Sequence, residues 1–287
     1  MKLLVFGSTG QVARELQRRV GPDILLMALD RNAADLANPD ACADVITKTD
    51  CDAVINAAAY TAVDKAEENA ALATLINGDA PTAMAWAAAA KSIPFLHIST
   101  DYVFDGSGTD PWTPGAPTSP LGVYGRSKLA GEVGVRGAGG CHTILRTSWV
   151  FSAHGSNFVR TMLRLGATRD SVNIVDDQIG GPTAAGDIAG ALLVMARALI
   201  ADRRKSGTYH FAGQPDTSWK GFACEIFAQV GMDVKANGIS TEDFAAPAPR
   251  PLNSSLDCSA TETVFGIKRP DWRSSLTQVL GALKEQT

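Results

Sequence analysis

Residues 4–13 read LVFGSTGQVA, and this string restricts the chain more than any other. An apolar run stops at Gly7, glycine recurs at Gly10, and the pattern turns helical at Gln11. Glycine at the first turn opens backbone conformations closed to other residues. At Gly10 it lets the main chain approach a pyrophosphate, and Ala13 is small enough for a helix to lie close on a sheet. The helix N-terminus then offers N–H groups and a partial positive charge to phosphate. Any tight strand-to-helix turn can produce such glycines, so the second half of the signature matters. Asp30 ends the next apolar stretch, 20 residues beyond Gly10, where a carboxylate takes the hydrogen bonds of an adenosine ribose. Asp30 alone favours NADH; Asp30 with a neighbouring Arg31 on a 2′-phosphate permits NADPH. Arg31 reads equally as a solvated surface charge.

The alternation begun there continues. Leu3–Phe6, Ile24–Leu29, Ala53–Ile55, Phe95–Ile98 and Thr143–Leu145 read as strands. Gln11–Val20, a stretch after Pro39, Asp64–Ile76, Ala80–Lys91 and a segment from near Gly122 read as helices. Strands alternating with helices, joined by right-handed crossovers, predict an α/β, doubly wound parallel (Rossmann-type) sheet. After about residue 150 the alternation weakens. Helices are expected at 156–168, 184–201, 218–230 and 274–285, and short strands near 172–175 and 208–211. The division is therefore a dinucleotide-binding domain over 1–150. A smaller, mainly substrate-binding lobe covers 151–287, with some segments returning to the first domain. Asp105–Leu121, with four prolines and three glycines, is a long loop of the kind that is either functional or disordered.

Apolar residues make up 45% and charged residues 20% of 287, ample for a buried core. The net charge of −4 leaves no broad basic surface for nucleic acid or anionic lipid. Local devices must hold any anionic ligand. Five cysteines, widely spaced and without a C-x-x-C pair, suggest neither a zinc site nor a disulfide framework. The first apolar run is too short for a signal peptide. The longest apolar helical stretch, Ile188–Ala201, is broken by Arg197 and falls short of a membrane span. A cytoplasmic protein without membrane or nucleic-acid partners is expected.

Tyr124 and Lys128 form Y-x-x-x-K, a spacing that places both on one helix face. A tyrosine hydroxyl has a pKa of about 10 and gives up its proton reluctantly near neutrality. A neighbouring ammonium lowers that value and makes tyrosine a usable general acid. The same lysine can hold the nicotinamide ribose. The pair alone is common by chance, but its helix follows the strand ending HISTDYVFDG. Ser99, Thr100 and Asp101 thus sit at the carboxyl edge, where open α/β sheets bind ligands. Thr100 can polarise a substrate carbonyl or merely cap the following turn. Asp101 can bind substrate hydroxyls or balance charge.

These strings together resemble the dTDP-4-dehydrorhamnose reductase family of the extended short-chain dehydrogenase/reductase superfamily. The motifs are FGSTGQVARELQ, NAAAYTAVDKAE, STDYVFDG, SPLGVYGRSKLAGE, RTSWVF, NFVRTMLRL, DDQIGGPT and RPLNSSLD, spanning Leu3 to about Asp257. The resemblance implies a reductase acting on the 4-keto group of dTDP-4-dehydro-L-rhamnose with NADPH or NADH. It implies Gly7, Gly10, Gln11 and Val12 at the pyrophosphate, Asp30 at the adenosine ribose, and Asp35 and Leu36 beside the adenine. Ala59, Tyr60 and Thr61 would flank the middle of the cofactor. Thr100, Asp101 and Trp149 would contact the sugar, with Tyr124 the proton donor and Lys128 its electrostatic partner. Asn157, Gln178 and Thr183 would complete the pocket.

Two positions depart from the family pattern: Ala13 replaces a glycine, and Tyr60 stands where relatives often carry histidine. Some relatives bind magnesium at a dimer contact. Glu15 matches one such position, but Asp187 replaces a glutamate at another, which counts against a magnesium-bridged dimer, and monomer or homodimer stays open. Arg250 is the cationic candidate for a substrate pyrophosphate, against a plain surface arginine beside a proline turn. Other readings of the same scaffold are another nucleotide-sugar reductase, an epimerase, or a non-catalytic NADP-binding regulatory subunit.

Overall fold

Five strands form where the apolar runs lie, and a sixth joins them from far along the chain. The computed structural model describes residues 1–285. The first half runs β1 (Lys2–Phe6), α1 (Gln11–Arg19), β2 (Leu25–Leu29), α2 (Pro39–Lys48), β3 (Ala53–Asn56) and α3 (Val63–Glu68). It continues α4 (Ala70–Thr74), α5 (Ala80–Ala90), β4 (Phe95–Thr100), α6 (Val123–Gly137) and β5 (His142–Thr147). The strands lie in the order β2, β1, β3, β4, β5, all parallel. Side chains alternate across the sheet. Leu3, Val5 and Ile55 pack on one face, and Leu4, Phe6 and Val54 on the other. Both faces are covered, so β1 and β3 read as unbroken apolar runs rather than alternating ones.

The second half contributes β6 (Val150–Phe151), α7 (Phe158–Gly166), β7 (Ser171–Val175), β8 (Ile179–Gly180), β9 (Thr183–Ala184), α8 (Ala185–Ala201) and β10 (Gly207–His210). β10 is the sixth strand, parallel to β5. Leu192 and Met195 of α8 pack with Leu16 of α1 over the first sheet face. The remainder is β11 (Thr217–Ser218), α9 (Trp219–Val230), β12 (Lys235–Ile239), α10 (Thr241–Phe244), β13 (Asn253–Ser254), α11 (Ser259–Phe265) and α12 (Trp272–Lys284). Phe151, Phe222 and Trp272 centre a separate core there. Caps set several of these ends: Asn157 accepts from Arg160 N, Ser218 from Gly221 N and Asp271 from Arg273 N.

The segment 64–76 is not one helix. α3 stops at Asn69, and a π-helical turn, Leu75–Asp79, carries α4 into α5. Such turns recur at functional sites. This one delivers Asn77 between the Tyr60 main chain and Ser127. The 105–121 loop is anchored at its start and middle. Trp112 stacks on Phe104 at 4.6 Å and donates to Asn253 O, and Pro114 O accepts from Arg146.

Arg146 also forms the buried ion pair that fixes α6 on the sheet. Its Nε and Nη2 reach the Glu132 carboxylate at 2.8 and 2.6 Å, and Ser99 Oγ donates to the same carboxylate at 2.7 Å. Burial alone would raise the Glu132 pKa, but Arg146 outweighs it and holds the carboxyl below its ordinary value. Removing one partner leaves a buried charge uncompensated. Glu132→Gln should therefore cost about 3–5 kcal/mol of stability in urea unfolding, and Glu132→Leu with Arg146→Met together clearly less.

Candidate active site

β1, β3 and β4 deliver their carboxyl ends to one edge of the sheet. At β1, Gly7 has φ +97°, and a Cβ there would lie 2.9 Å from the Ala58 Cβ. Only glycine fits, so the turn passes tightly under β3. Gly7 N and Ser8 N both donate to Leu29 O, which ties the loop to the end of β2 and to Asp30. Asp30 Oδ1 accepts from Ala33 N at 2.9 Å. Arg31 is exposed, its Nε 3.9 Å from Asp35, whose Oδ1 accepts from Ala37 N. The nine residues of α1 begin without a side-chain cap and without an acid in the first turn. That cradle fits the phosphates of a dinucleotide.

The other residues expected around the cofactor divide by role. Val12 and Leu36 are buried in the two cores flanking the sheet. Gln11 Oε1 accepts from Ser152 Oγ and Asn157 Nδ2 at 2.7 and 3.0 Å. It therefore stitches the glycine loop to the second half. Ala59 and Tyr60 are half-buried and Thr61 is exposed. Asn77 clamps Tyr60 by its N–H at 2.8 Å and its carbonyl at 3.0 Å.

At β4, Thr100 is both cap and reactive group. Its Oγ1 accepts from Tyr102 N at 3.2 Å and donates to Asp101 Oδ1 at 3.0 Å. α6 lies so close that a Cβ on Gly125 would sit 2.2 Å from Tyr102 O. This approach brings Tyr124 to Thr100. Burial pushes the Tyr124 hydroxyl up to about 12, and its hydrogen bond with Thr100 pulls the other way. Lys128, one turn on from Tyr124 in α6, turns to the strand. Its Nζ lies against β4, 2.6 Å from Ile98 O and 3.2 Å from His97 Nε2. Buried without a carboxylate, it takes the nearest strand groups as partners. Burial lowers its pKa to about 8, against the pull of Glu132. Asp101 is also buried, its Oδ2 has no hydrogen-bond partner, and burial pushes its carboxyl up to about 6 against the Thr100 and Ser254 hydroxyls.

Several placements differ from sequence expectation. Arg250 has its guanidinium on Asp64 of α3, at 2.9 and 3.0 Å, so a phosphate there would compete with an internal acid. Trp149 is held at φ +48° and stacks on Trp219 with ring centroids 3.7 Å apart. Sequence reasoning missed Trp219, which carries no local signal beyond following a capping serine. It also missed Glu67, whose Oε1 caps α6 by accepting from Val123 N at 2.8 Å. Gln178 accepts from Trp219 Nε1 and donates to Thr241, and Thr183 donates to Gly181 O. Asn157, Gln178 and Thr183 thus brace the walls. Glu15 is engaged by Arg18, Arg19 and His154 at 3.3, 3.5 and 3.0 Å, and Asp187 accepts from Ser275. Among the described residues no cluster of three or more His, Cys, Asp and Glu could hold a metal.

A family model described as "RmlD substrate binding domain" matches residues 1–285. The dTDP-4-dehydrorhamnose reductase of Sinorhizobium fredii is 43% identical over 99% of this chain and 98% of its own. The crystal structure of a dTDP-4-dehydrorhamnose reductase from Clostridium acetobutylicum superposes with a TM-score of 0.92 at 37% identity, covering 99% and 100% of the two chains. That of the Bacillus anthracis enzyme, in complex with NADP, gives 0.90 at 33% identity over 98% and 99%.

Asp101 gives this site a measurable signature. Its folded pKa of about 6 lies above the ordinary 3.8, so its burial costs stability as pH rises from about 4 to 6 and the cost persists above. Asp101→Asn should be more stable than wild type by roughly 2–3 kcal/mol at pH 8. In thermal unfolding the difference should vanish near pH 4.

Proposed function

The chain belongs to the dTDP-4-dehydrorhamnose reductase family, and on that premise we propose that it reduces the 4-keto group of dTDP-4-dehydro-L-rhamnose to give dTDP-L-rhamnose, the final step of dTDP-rhamnose biosynthesis. The observation that carries this reading is the convergence of Thr100, Tyr124 and Lys128 at the β4 edge, on the same sheet as the Gly7–Gly10 cradle. NADPH or NADH, when bound, supplies the hydride that the keto carbon accepts. Gly7 and Gly10 give the pyrophosphate access to the α1 N-terminus, and Asp30 meets the adenosine ribose. Arg31 at the rim is compatible with NADPH.

Tyr124 supplies the proton to the former carbonyl oxygen, and solvent returns one to the phenolate. Its raised pKa keeps it protonated throughout the physiological range. The developing alkoxide is more basic than the phenolate, so transfer runs downhill. Thr100 gives up its hydrogen bond to Asp101 and donates to the same oxygen as charge builds there. Asp101 and Trp149 bind the sugar, and Arg250 exchanges Asp64 for the substrate pyrophosphate. Residues 1–150 hold mainly the cofactor and 151–287 mainly the sugar nucleotide. All the named groups lie in one chain, so a monomer suffices. Five unpaired cysteines support work in the reducing cytoplasm.

Loss of reduced-nicotinamide absorbance on adding dTDP-4-dehydro-L-rhamnose tests this directly. Stoichiometric consumption is expected; sugar conversion without consumption would point to an epimerase and overturn the reading. Tyr124→Phe should keep NADPH affinity within a factor of two or so while turnover falls roughly 100- to 10,000-fold.

A further inference from the structure

The lysine of the reactive pair sits at one end of a hydrogen-bond chain whose direction is fixed by backbone groups. At the far end Ala58 N–H, which can only donate, bonds Asn56 Oδ1 at 3.1 Å. That orients the Asn56 amide, so Nδ2 faces His97 Nδ1 at 3.2 Å. An amide nitrogen donates, so Nδ1 accepts, and a neutral His97 carries its proton on Nε2. Nε2 faces Lys128 Nζ at 3.2 Å, and Nζ donates to Ile98 O, which can only accept, at 2.6 Å. Read from end to end, every link runs the same way. Lys128 receives one hydrogen bond and gives one. An amine has the lone pair for that; an ammonium does not.

We propose that His97, its tautomer locked by Asn56, is a positioning residue that favours the neutral amine of Lys128 over its ammonium while the side chain lies against β4. An ammonium at Nζ would force His97 to move its proton to Nδ1, against Asn56 Nδ2, or force the Asn56 amide to turn and abandon Ala58 N–H. Charging the lysine therefore breaks a hydrogen bond elsewhere in a buried chain, where an unmade bond is costly. The surroundings agree. Asn56 and His97 stand directly opposite in the β3–β4 register, and both are 1% exposed. The charged and titratable groups that act on Lys128 are His97 from β4 and Glu132 from α6 itself. Glu132 is the group that favours the ammonium, and its carboxylate is already shared among Arg146, Arg136 and Ser99. Burial shifts Lys128 and His97 in the same direction, toward their neutral forms.

The inference rests on the reductase reading only for the purpose it gives Lys128. There it places the lysine's protonation change near neutrality, where a ligand bringing negative charge can drive it. The geometry stands without that purpose, so the test begins in the cofactor-free protein. Histidine-labelled ¹⁵N spectra of the wild-type chain at about pH 9 should show His97 as the neutral Nε2–H tautomer. The Nδ1–H tautomer or an imidazolium would overturn the proposal.

Two variants then read the lysine. Gln at 97 can turn its amide oxygen to the ammonium. Asp at 56 draws the histidine proton to Nδ1 and frees the Nε2 lone pair. In lysine-labelled spectra, His97→Gln and Asn56→Asp should each raise the Lys128 pKa by about one unit. The alkaline edge of the turnover profile should move with it at unchanged substrate KM. A folded His97→Gln protein whose Lys128 titrates as in wild type would reduce His97 to a packing residue. An absence of turnover on any sugar would sink the reductase reading and leave the spectra untouched.

Discussion

The Glu132–Arg146 pair is the constraint from which the rest of the site follows. Arg146 rises from β5 and Glu132 descends from α6, and both are essentially inaccessible to water. Their charges are worth burying only because further groups close around both partners. Ser99 from β4 and Arg136 from the next turn of α6 take the carboxylate, and Pro114 O and the Phe104 ring take the guanidinium. Two strands, one helix and one long loop thereby meet at a single point. Turning α6 by even a fraction of a residue would unmake several of these bonds at once. Tyr124 and Lys128 inherit their positions from that arrangement.

The parts of the site legible in the sequence were local ones. Gly7, Gly10 and the start of α1 form one contiguous turn whose physics needs no distant partner. Tyr124 and Lys128 share a helix face by spacing alone. The parts that were hidden depend on chain segments far apart. Glu67 caps α6 from another helix, Asn77 reaches Tyr60 only because a π-turn adds a residue, and Trp219 meets Trp149 across the second lobe. β10 was visible as a strand, but its place beside β5 is a pairing across more than sixty residues of chain. Lys128 shows the limit most sharply. Its spacing placed it on the face of Tyr124, but burial and the open acceptors of β4 decided where its nitrogen went.

An acidic chain that must seat anionic ligands has little free positive charge at this edge. Arg250 is held by Asp64, Arg31 leans on Asp35, and Lys128 lies against a carbonyl. What stays available is the α1 N-terminus, where main-chain N–H groups supply partial charge without a counter-ion. Anion binding by a fixed dipole needs no ion pair to break, whereas capture by Arg250 does. The two phosphate-bearing ligands proposed for this cleft would thus face different costs.

Gln11 ties these two ends of the molecule together. Its side-chain oxygen takes hydrogen bonds from Ser152 and from Asn157, and Asn157 is also the cap of α7. A ligand that displaces or tightens Gln11 changes the free energy of that cap. By thermodynamic reciprocity, whatever orders α7 must change the affinity of the glycine turn by the same factor. One amide therefore makes the two halves of the cleft interdependent, so that occupancy of either is legible at the other.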